Sequence, residues 1–381
     1  MITRKLKLKL NKAESAKAEG LLFQLTGVIN WALCKLKLDA KDGIFHSYED
    51  LCVLTAGHAK RVGIHSQVFQ LALKQAVTAW ENHKFRGKGK PRLKGIRNKL
   101  NSFVFPQSCQ RNGNKHIKVP AFGILRTHAQ NIPEGKIKQC RFLKKPSGWY
   151  AVLTLDCERE KIIVTDAHVN GADPGFSTLL TLSNGKKYAH PKELQHSLIQ
   201  LGKFQRGKAK KKTARLHERI ANQRLDRNHK LSLELVQTNE VLYISKDNHQ
   251  AIAKRFGKSV ASSAHGQLKQ LINYKSSSCG RTMVEVPSKY STQTCSACTA
   301  LTGPKGLSGL KVRNWTCSCG ATHDRDVNAA INTLIAGIAL HAPSSSGVGT
   351  TLGFWKPRPK DRGSSHNLSP LTVNKNAPVH R

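Results

Sequence analysis

Two cysteine pairs constrain this chain more than any other feature. Cys295-Ser-Ala-Cys298 is followed, 19 positions after its second cysteine, by Cys317-Ser-Cys319. Four thiolates in two close pairs around a loop suit a closed, tetrahedral Zn²⁺ site. Four unrelated reduced thiols are the competing reading, and the clustering argues against it. The second pair has one intervening residue where two are commoner, which disfavours ideal geometry more than it disfavours metal binding. The other six cysteines, Cys34, Cys52, Cys109, Cys140, Cys157 and Cys279, are scattered. The N-terminal stretch MITRKLKLKLNK lacks the apolar run of a signal peptide. The cysteines therefore indicate a reducing compartment and a structural metal, not a disulfide framework. Zinc held by four thiolates keeps no open position for catalysis.

Charge sets the partner class. Lys and Arg number 63 against 23 Asp and Glu, a formal net charge of +40. Such a chain repels itself without an anionic partner, which in principle is nucleic acid, anionic membrane or an acidic protein. No run of 18 or more apolar residues occurs, so a membrane-spanning reading is weak. A ribosomal-type structural role fits poorly with 381 residues. Nucleic acid is the expected partner.

Periodicity divides the chain. From Arg4, polar and apolar residues alternate, which predicts a strand with Leu6, Leu8 and Leu10 on one face and Lys5, Lys7 and Lys9 on the other. The lysines either protect a sheet edge or face phosphates. Residues 13–84 read as helical. Leu21, Leu22, Leu25, Val28, Ile29, Ala32, Leu33 and Leu36 mark one helix, and Val68, Leu71, Ala72, Ala76, Ala79 and Trp80 a second from Ser66 to Phe85. The basic run Phe85–Gly95, with Arg86, Lys88, Lys90 and Arg92, is a cationic loop over a phosphate backbone or a soluble linker. Short alternating runs fill 101–157 and, with the first strand, predict one small β-barrel into which the helical segment is inserted.

From about residue 160 a third unit begins. Gly171–Lys187 reads as a hairpin with Asp173 on its first strand. A long helical region follows over 191–239. Its core, Lys203–Lys230, holds 11 Lys and Arg against Glu218 and Asp226, and Lys208, Lys210, Lys211, Lys212, Arg215 and Arg219 are its candidate phosphate contacts. A strand over Val241–Ser245 and a helix over Val260–Ser276 come next. The tail 341–381, rich in Ser, Gly, Pro and basic residues, reads as disordered.

Directly after the cysteines, Thr322-His-Asp-Arg-Asp-Val-Asn-Ala-Ala330 opens a helix with Asp326 in its first turn. That carboxylate either caps the helix or, with Asp173, holds a metal. Hard Mg²⁺ prefers oxygen ligands, so such a site is chemically distinct from the thiolate one.

GADPGFSTLLTLSNG, CSAC…WTCSCG and HDRDVNAA together resemble TnpB, the OrfB protein of small bacterial insertion sequences, whose core recurs in type V CRISPR effectors. The resemblance covers roughly residues 1–340. It implies an α/β multi-domain chain: a wedge β-barrel (1–12 and 86–159), a helical recognition domain (13–85), an RNase H-like RuvC nuclease domain (160–288 and 321–340) and an inserted zinc ribbon (289–320). It further implies a guide RNA from the transposon end, target double-stranded DNA chosen by pairing with that guide, Mg²⁺-dependent cutting, and a monomer with its RNA in the bacterial cytoplasm, associated with the nucleoid. Older usage calls such proteins transposases, linked to transposition and DNA recombination. The family's first and last catalytic Asp match Asp173 and Asp326. Its middle carboxylate falls on Ser245, which cannot replace a charged ligand. Asp247, two residues on and on the same side of an extended strand, is the expected substitute. A site that binds guided DNA without cutting, acting as repressor or transposition accessory, and a carboxylate from elsewhere are the alternatives.

Overall fold

A computed structural model of the chain describes residues 1–341 except 96, 97, 129, 130, 159, 160, 191, 247, 248 and 307. The tail expected at 341–381 lies outside the described residues apart from His341.

Strand β1 (Ile2–Lys9) leads into α1 (Lys12–Asp39), α2 (Tyr48–Leu54), α3 (His58–Arg61) and α4 (Ser66–Phe85). Asn11 starts α1 through a capping box: its side chain accepts from Glu14 N–H, and Glu14 accepts from Asn11 N–H. By length and composition α1 is apolar enough to cross a membrane. In the fold its stripe Ala18, Leu22, Leu25, Ile29, Ala32, Leu33 and Leu36 is buried, and the helix packs on α4. The buried face of α4 is rotated from the expected stripe. Phe69, Leu73 and Val77 join Val68, Ala72 and Ala76, while Trp80 stays half-buried.

Six more strands complete the first half: β2 (Ser102–Phe105), β3 (Gln110–Asn112), β4 (His116–Val119), β5 (Gly123–Thr127), β6 (Lys136–Lys145) and β7 (Gly148–Asp156). They form one sheet with β1, in the order β2-β6-β7-β1-β5-β4-β3. β1 pairs with β7 over Ile2–Lys7 but with β5 only at Leu8 and Lys9, so the sheet turns on this strand. Leu6 and Leu8 point into a core where Phe103 stacks on Phe142 at 5.0 Å and Phe122 on Phe142 at 5.1 Å. The expected barrel does not close among the described residues. β2 and β3 remain the two ends of the order. They are four and three residues long, and Ser108, between them, takes a left-handed φ of 68° that directs the chain away.

The second half holds β8 (His168–Pro174), β9 (Thr178–Leu182), β10 (Lys187–Ala189), α5 (Lys192–Arg206), α6 (Lys210–Thr238), β11 (Asn239–Lys246), α7 (His249–Ser263), α8 (His265–Ser278) and β12 (Thr282–Pro287). Its sheet order is β10-β9-β8-β11-β12, with β8, β11 and β12 parallel. The expected β8–β9 hairpin is present. Two expectations are corrected and one strand is added. The long basic helix breaks at Gly207–Ala209, where Lys208 has φ 51°. The helix placed at 260–276 is two helices, α7 and α8, broken at Ala264 with φ 54°. Strand β12 was not foreseen.

The described residues end in a small hairpin, β13 (Asn314–Thr316) with β14 (Thr322–Asp324), and α9 (Arg325–His341). Helices α6 and α8 cover one face of the second sheet through Leu231, Leu235, Leu268 and Ile272. Helix α9 lies on the other face, drawn close by two glycines. A Cβ on Gly171 would stand 2.1 Å from Ala330 O, and one on Gly337 2.1 Å from the Tyr243 ring.

Candidate functional site

The register of two parallel strands builds the carboxylate site. Ala172 of β8 is level with Ile244 of β11, so the next residues, Asp173 and Ser245, stand side by side. The Ser245 hydroxyl donates to Asp173 Oδ1 at 3.2 Å. Side chains alternate across a sheet, so Asp173 shares its face with Gly171, the residue against α9. Ser245 is fully buried. Asp247 lies outside the described residues. Behind the strand end, the buried Lys269 donates to Ser245 O at 2.6 Å and lies 3.7 Å from Glu285.

Asp326 sits in the first turn of α9, but it does not cap the helix. Asp324 does, accepting from the N–H groups of Asp326 (3.1 Å) and Val327 (3.0 Å). Burial pushes the Asp324 carboxyl up, and the Lys187 ammonium at 2.6 Å with those two N–H groups outweighs it, so its pKa is lowered. Asp326 is left facing Arg313, whose guanidinium lies 3.5 Å from its Oδ1 and also donates to Ser177 Oγ at 2.5 Å. Arg313 thus ties the first turn of α9 to the loop four residues past Asp173. Periodicity did not reveal Arg313, Lys269 or Asp324, although an Asp just before a helical run is an N-cap signal.

The four expected zinc ligands converge. The sulfurs of Cys295, Cys298, Cys317 and Cys319 all lie within 4.8 Å of one another. Cys298–Cys317 is 3.5 Å and Cys295–Cys319 3.8 Å. Zn–S bonds of about 2.3 Å in a tetrahedron require sulfurs about 3.8 Å apart, so the one-residue spacer is accommodated. The Cys319 N–H and then the Thr302 hydroxyl hold the Cys317 thiol down at about 5. At Cys298 the lowering by the Ala300 backbone is outweighed by Cys319 and Cys317, and the thiol is pushed up to about 12. Cys317 is thus the thiolate of the pair before a metal displaces the other proton. His323 Nε2 stands 3.0 Å from Cys295 Sγ, its ring against Trp315.

Two asparagines fasten this knuckle to α9. Asn328 accepts from Ser296 N–H at 2.9 Å and donates to Thr294 O at 2.8 Å. Asn332, one turn on, donates to Ser291 O at 2.8 Å and to Thr294 O at 2.7 Å. Both are poor helix formers spaced i,i+4, a signal the sequence carried. The cysteine cluster and Asp326 are thereby held on one rigid element.

The cationic candidates separate into two groups. Lys208, Lys210, Lys211, Lys212, Arg215 and Arg219 are all exposed. Three of them crowd the first turn of α6, where no side chain caps the helix and no acid offsets its dipole. Arg86, Lys88, Lys90 and Arg92 are also exposed, on a segment pinned at both ends and so not a free linker. Lys5 is exposed too, but partial burial first, and the charge of Lys145 next, lower its pKa, and its ammonium lies 5.6 Å from the Tyr150 ring centre. Lys7 is half-buried and reaches under Gly148.

The family model for the Cas12f1-like TNB domain matches residues 265–333, which span α8, the cysteine cluster and the start of α9. A Streptomyces pristinaespiralis protein named as an RNA-guided DNA endonuclease is 31% identical over 298 residues, covering 73% of each chain. InsQ of Escherichia coli K12, named likewise, is 27% identical over 308 residues, 73% of this chain and 76% of its own. Among solved structures, Cas12f1 in its complex with sgRNA and target DNA has a similar fold, with a TM-score of 0.53 at 14% identity over 85% of this chain and 83% of that one. The chain belongs to the TnpB family of RNA-guided DNA endonucleases.

Proposed function

We propose that this chain is an RNA-guided endonuclease that hydrolyses target DNA with Mg²⁺ bound by Asp173 and Asp326. One observation carries the reading. Asp173 ends the first strand of a mixed sheet, the next parallel strand brings Ser245 to its side, and Asp326 opens the helix on the same face. The bent seven-stranded sheet would serve as the wedge, α1–α4 as the recognition domain and the five-stranded sheet as the RuvC nuclease. The names of the relatives support guide RNA and target DNA as partners, and the surplus of 40 positive charges supports them independently.

The residues fit the metal. Mg²⁺ is commonly held by one or two carboxylates plus waters and substrate phosphate, so Asp173 and Asp326 suffice, and Asp247 is the candidate third ligand. When bound, the ions activate water and stabilise the leaving oxygen. The chain's own groups position the rest: Ser245 orients the Asp173 carboxylate, and Arg313 places a positive charge beside Asp326 where a phosphate enters.

Cleavage of a matched DNA by the purified protein–RNA complex with Mg²⁺ tests this. Asp173→Ala and Asp326→Ala abolish it, and loss with Asp247→Ala identifies the third ligand. The buried Ser245 at the carboxylate position favours one second reading, a guided DNA binder that does not cut. Tight guided binding with no cleavage by the unaltered chain would establish that reading in place of the first.

A further inference from the structure

The basic segment after α4 is an arch. Lys88 N–H donates to Asn82 O at 3.0 Å, and the His83 ring donates to Lys88 O at 2.9 Å. At the other end Asn30 of α1 makes a reciprocal pair with Lys94, 2.8 Å to its carbonyl and 2.7 Å from its N–H. Between these anchors Gly89–Leu93 spans a cleft of about 870 Å³. Leu33 and Cys34 of α1 and Trp80 of α4 line it from the helices. Lys37, Lys90 and Arg92, all exposed, line it too, and among the described residues no carboxylate does. Trp80 is half-buried in contact with the core below, so its ring is held in place.

Three unbalanced cations around one fixed aromatic face have a specific chemistry. A phosphate is attracted by the cations, and a base attached to it stacks on the ring. An acidic peptide would use the cations and leave the ring idle. The volume falls within the range of about 300–1,000 Å³ typical of small-molecule sites, ample for one nucleotide. A stacked duplex does not offer a free base face, so the occupant is unpaired.

We propose that this cleft takes one unstacked nucleotide of a bound strand, its base on Trp80 and its phosphate among Lys37, Lys90 and Arg92. The inference rests on the nucleic-acid function proposed above and adds a base-holding site whose lining shares no residue with the nuclease carboxylates. The nucleotide belongs to the guide RNA or to target DNA, and the experiment separates these sources.

The full-length chain is irradiated with 5-iodouracil-substituted single strands of one sequence, as RNA and as DNA, and crosslinked peptides are identified by mass spectrometry. Strand affinity is measured in parallel by fluorescence anisotropy at raised salt, which suppresses the phosphate contribution and leaves stacking. A crosslink at Trp80 is expected, and the strand that gives it names the source. Trp80→Ala weakens that strand's binding by about fivefold or more, and Trp80→Phe restores most of it. Lys90→Glu with Arg92→Glu alters only exposed loop residues and so reports on the cleft even where Trp80→Ala impairs folding; it lowers the Trp80 crosslink. Strands that bind the unaltered chain without crosslinking Trp80, and that bind the Lys90/Arg92 variant equally well, overturn the proposal. An unaltered chain that binds neither strand refutes the wider function, and this site with it.

Discussion

Ser245 decides how the carboxylate site behaves. Its hydroxyl is buried and bonded to Asp173, so no charge opposes Asp173 from that position. Ser245→Glu puts a second carboxylate there. Without metal, a buried carboxylate at 245 and the half-buried one of Asp173 repel, and one must take up a proton or the fold must yield. The variant is therefore less stable than the unaltered chain in EDTA, by about 1–3 kcal/mol. Mg²⁺ recovers most of that loss, because a ligand that binds the native state stabilises it. Thermal denaturation with and without Mg²⁺ checks this, and an equal Mg²⁺ response in both proteins would contradict it. Gly171 acts by absence: a Cβ there meets Ala330 O at 2.1 Å, against rigid helix backbone. Gly171→Ala should cost about 1–3 kcal/mol or more and displace α9, so cleavage falls further than strand binding does. Asp173, Asp326 and the four cysteines were legible because each sits in a short local motif. Arg313, Lys269 and Glu218 were not, since what they touch lies 13 to 136 residues away in sequence, outside any local motif.

Helix α6 is built against its own dipole. Lys210, Lys211 and Lys212 occupy the end where acids are favoured, and Ala209 supplies no cap. Each cation there costs roughly 0.3–1 kcal/mol at low ionic strength. Under the proposed function the same cations and the uncapped end of the helix would attract phosphate together, giving the instability a functional counterpart. Lys211→Glu should raise the melting temperature of the RNA-free chain while weakening RNA binding and flattening its dependence on salt, by about one unit in the slope for each phosphate no longer neutralised. A variant both less stable and unimpaired in RNA binding would show that the lysines serve another purpose. At this scale the sequence yielded strands and helices wherever period was clean, as in β1, β7 and α1. It missed breaks made by single left-handed residues, Lys208 and Ala264, because neither is glycine. It passed over β12, whose TMVEVP run is short and lies between a helix and the cysteines.

Among the described residues two large hydrophobic cores stand apart, with smaller clusters between α5 and α6 and around the cysteines. The first joins β1–β7 with the N-terminal helices, and the second lies between the five-stranded sheet and helices α6 and α8. Neither the charge pattern nor periodicity predicts how such halves meet. They meet through a buried polar clasp. Glu218 of α6, 8% exposed, accepts from Ser147 N–H at 2.9 Å and from its hydroxyl at 2.8 Å, at the turn joining β6 and β7. The same hydroxyl pairs with Tyr150 at 2.8 Å. A carboxylate in a strongly basic helix is kept here because it alone can take both donors of one turn. Removing it leaves the half-buried Ser147 N–H without this acceptor and its hydroxyl with Tyr150 alone, which costs about 1–3 kcal/mol and falls on the joint between the cores. Glu218→Ala should therefore separate the unfolding of the two halves into two calorimetric transitions, and it should open the 145–148 turn to protease while the buried ends of β8 and β11 stay resistant. Glu218→Gln keeps one acceptor oxygen and should fall between. Because the proposed strand-binding surfaces sit on both halves and the proposed catalytic carboxylates on one, the Ala variant should still bind RNA but cut guided DNA more slowly. A single transition unchanged in position would mean that contacts other than this clasp hold the halves together.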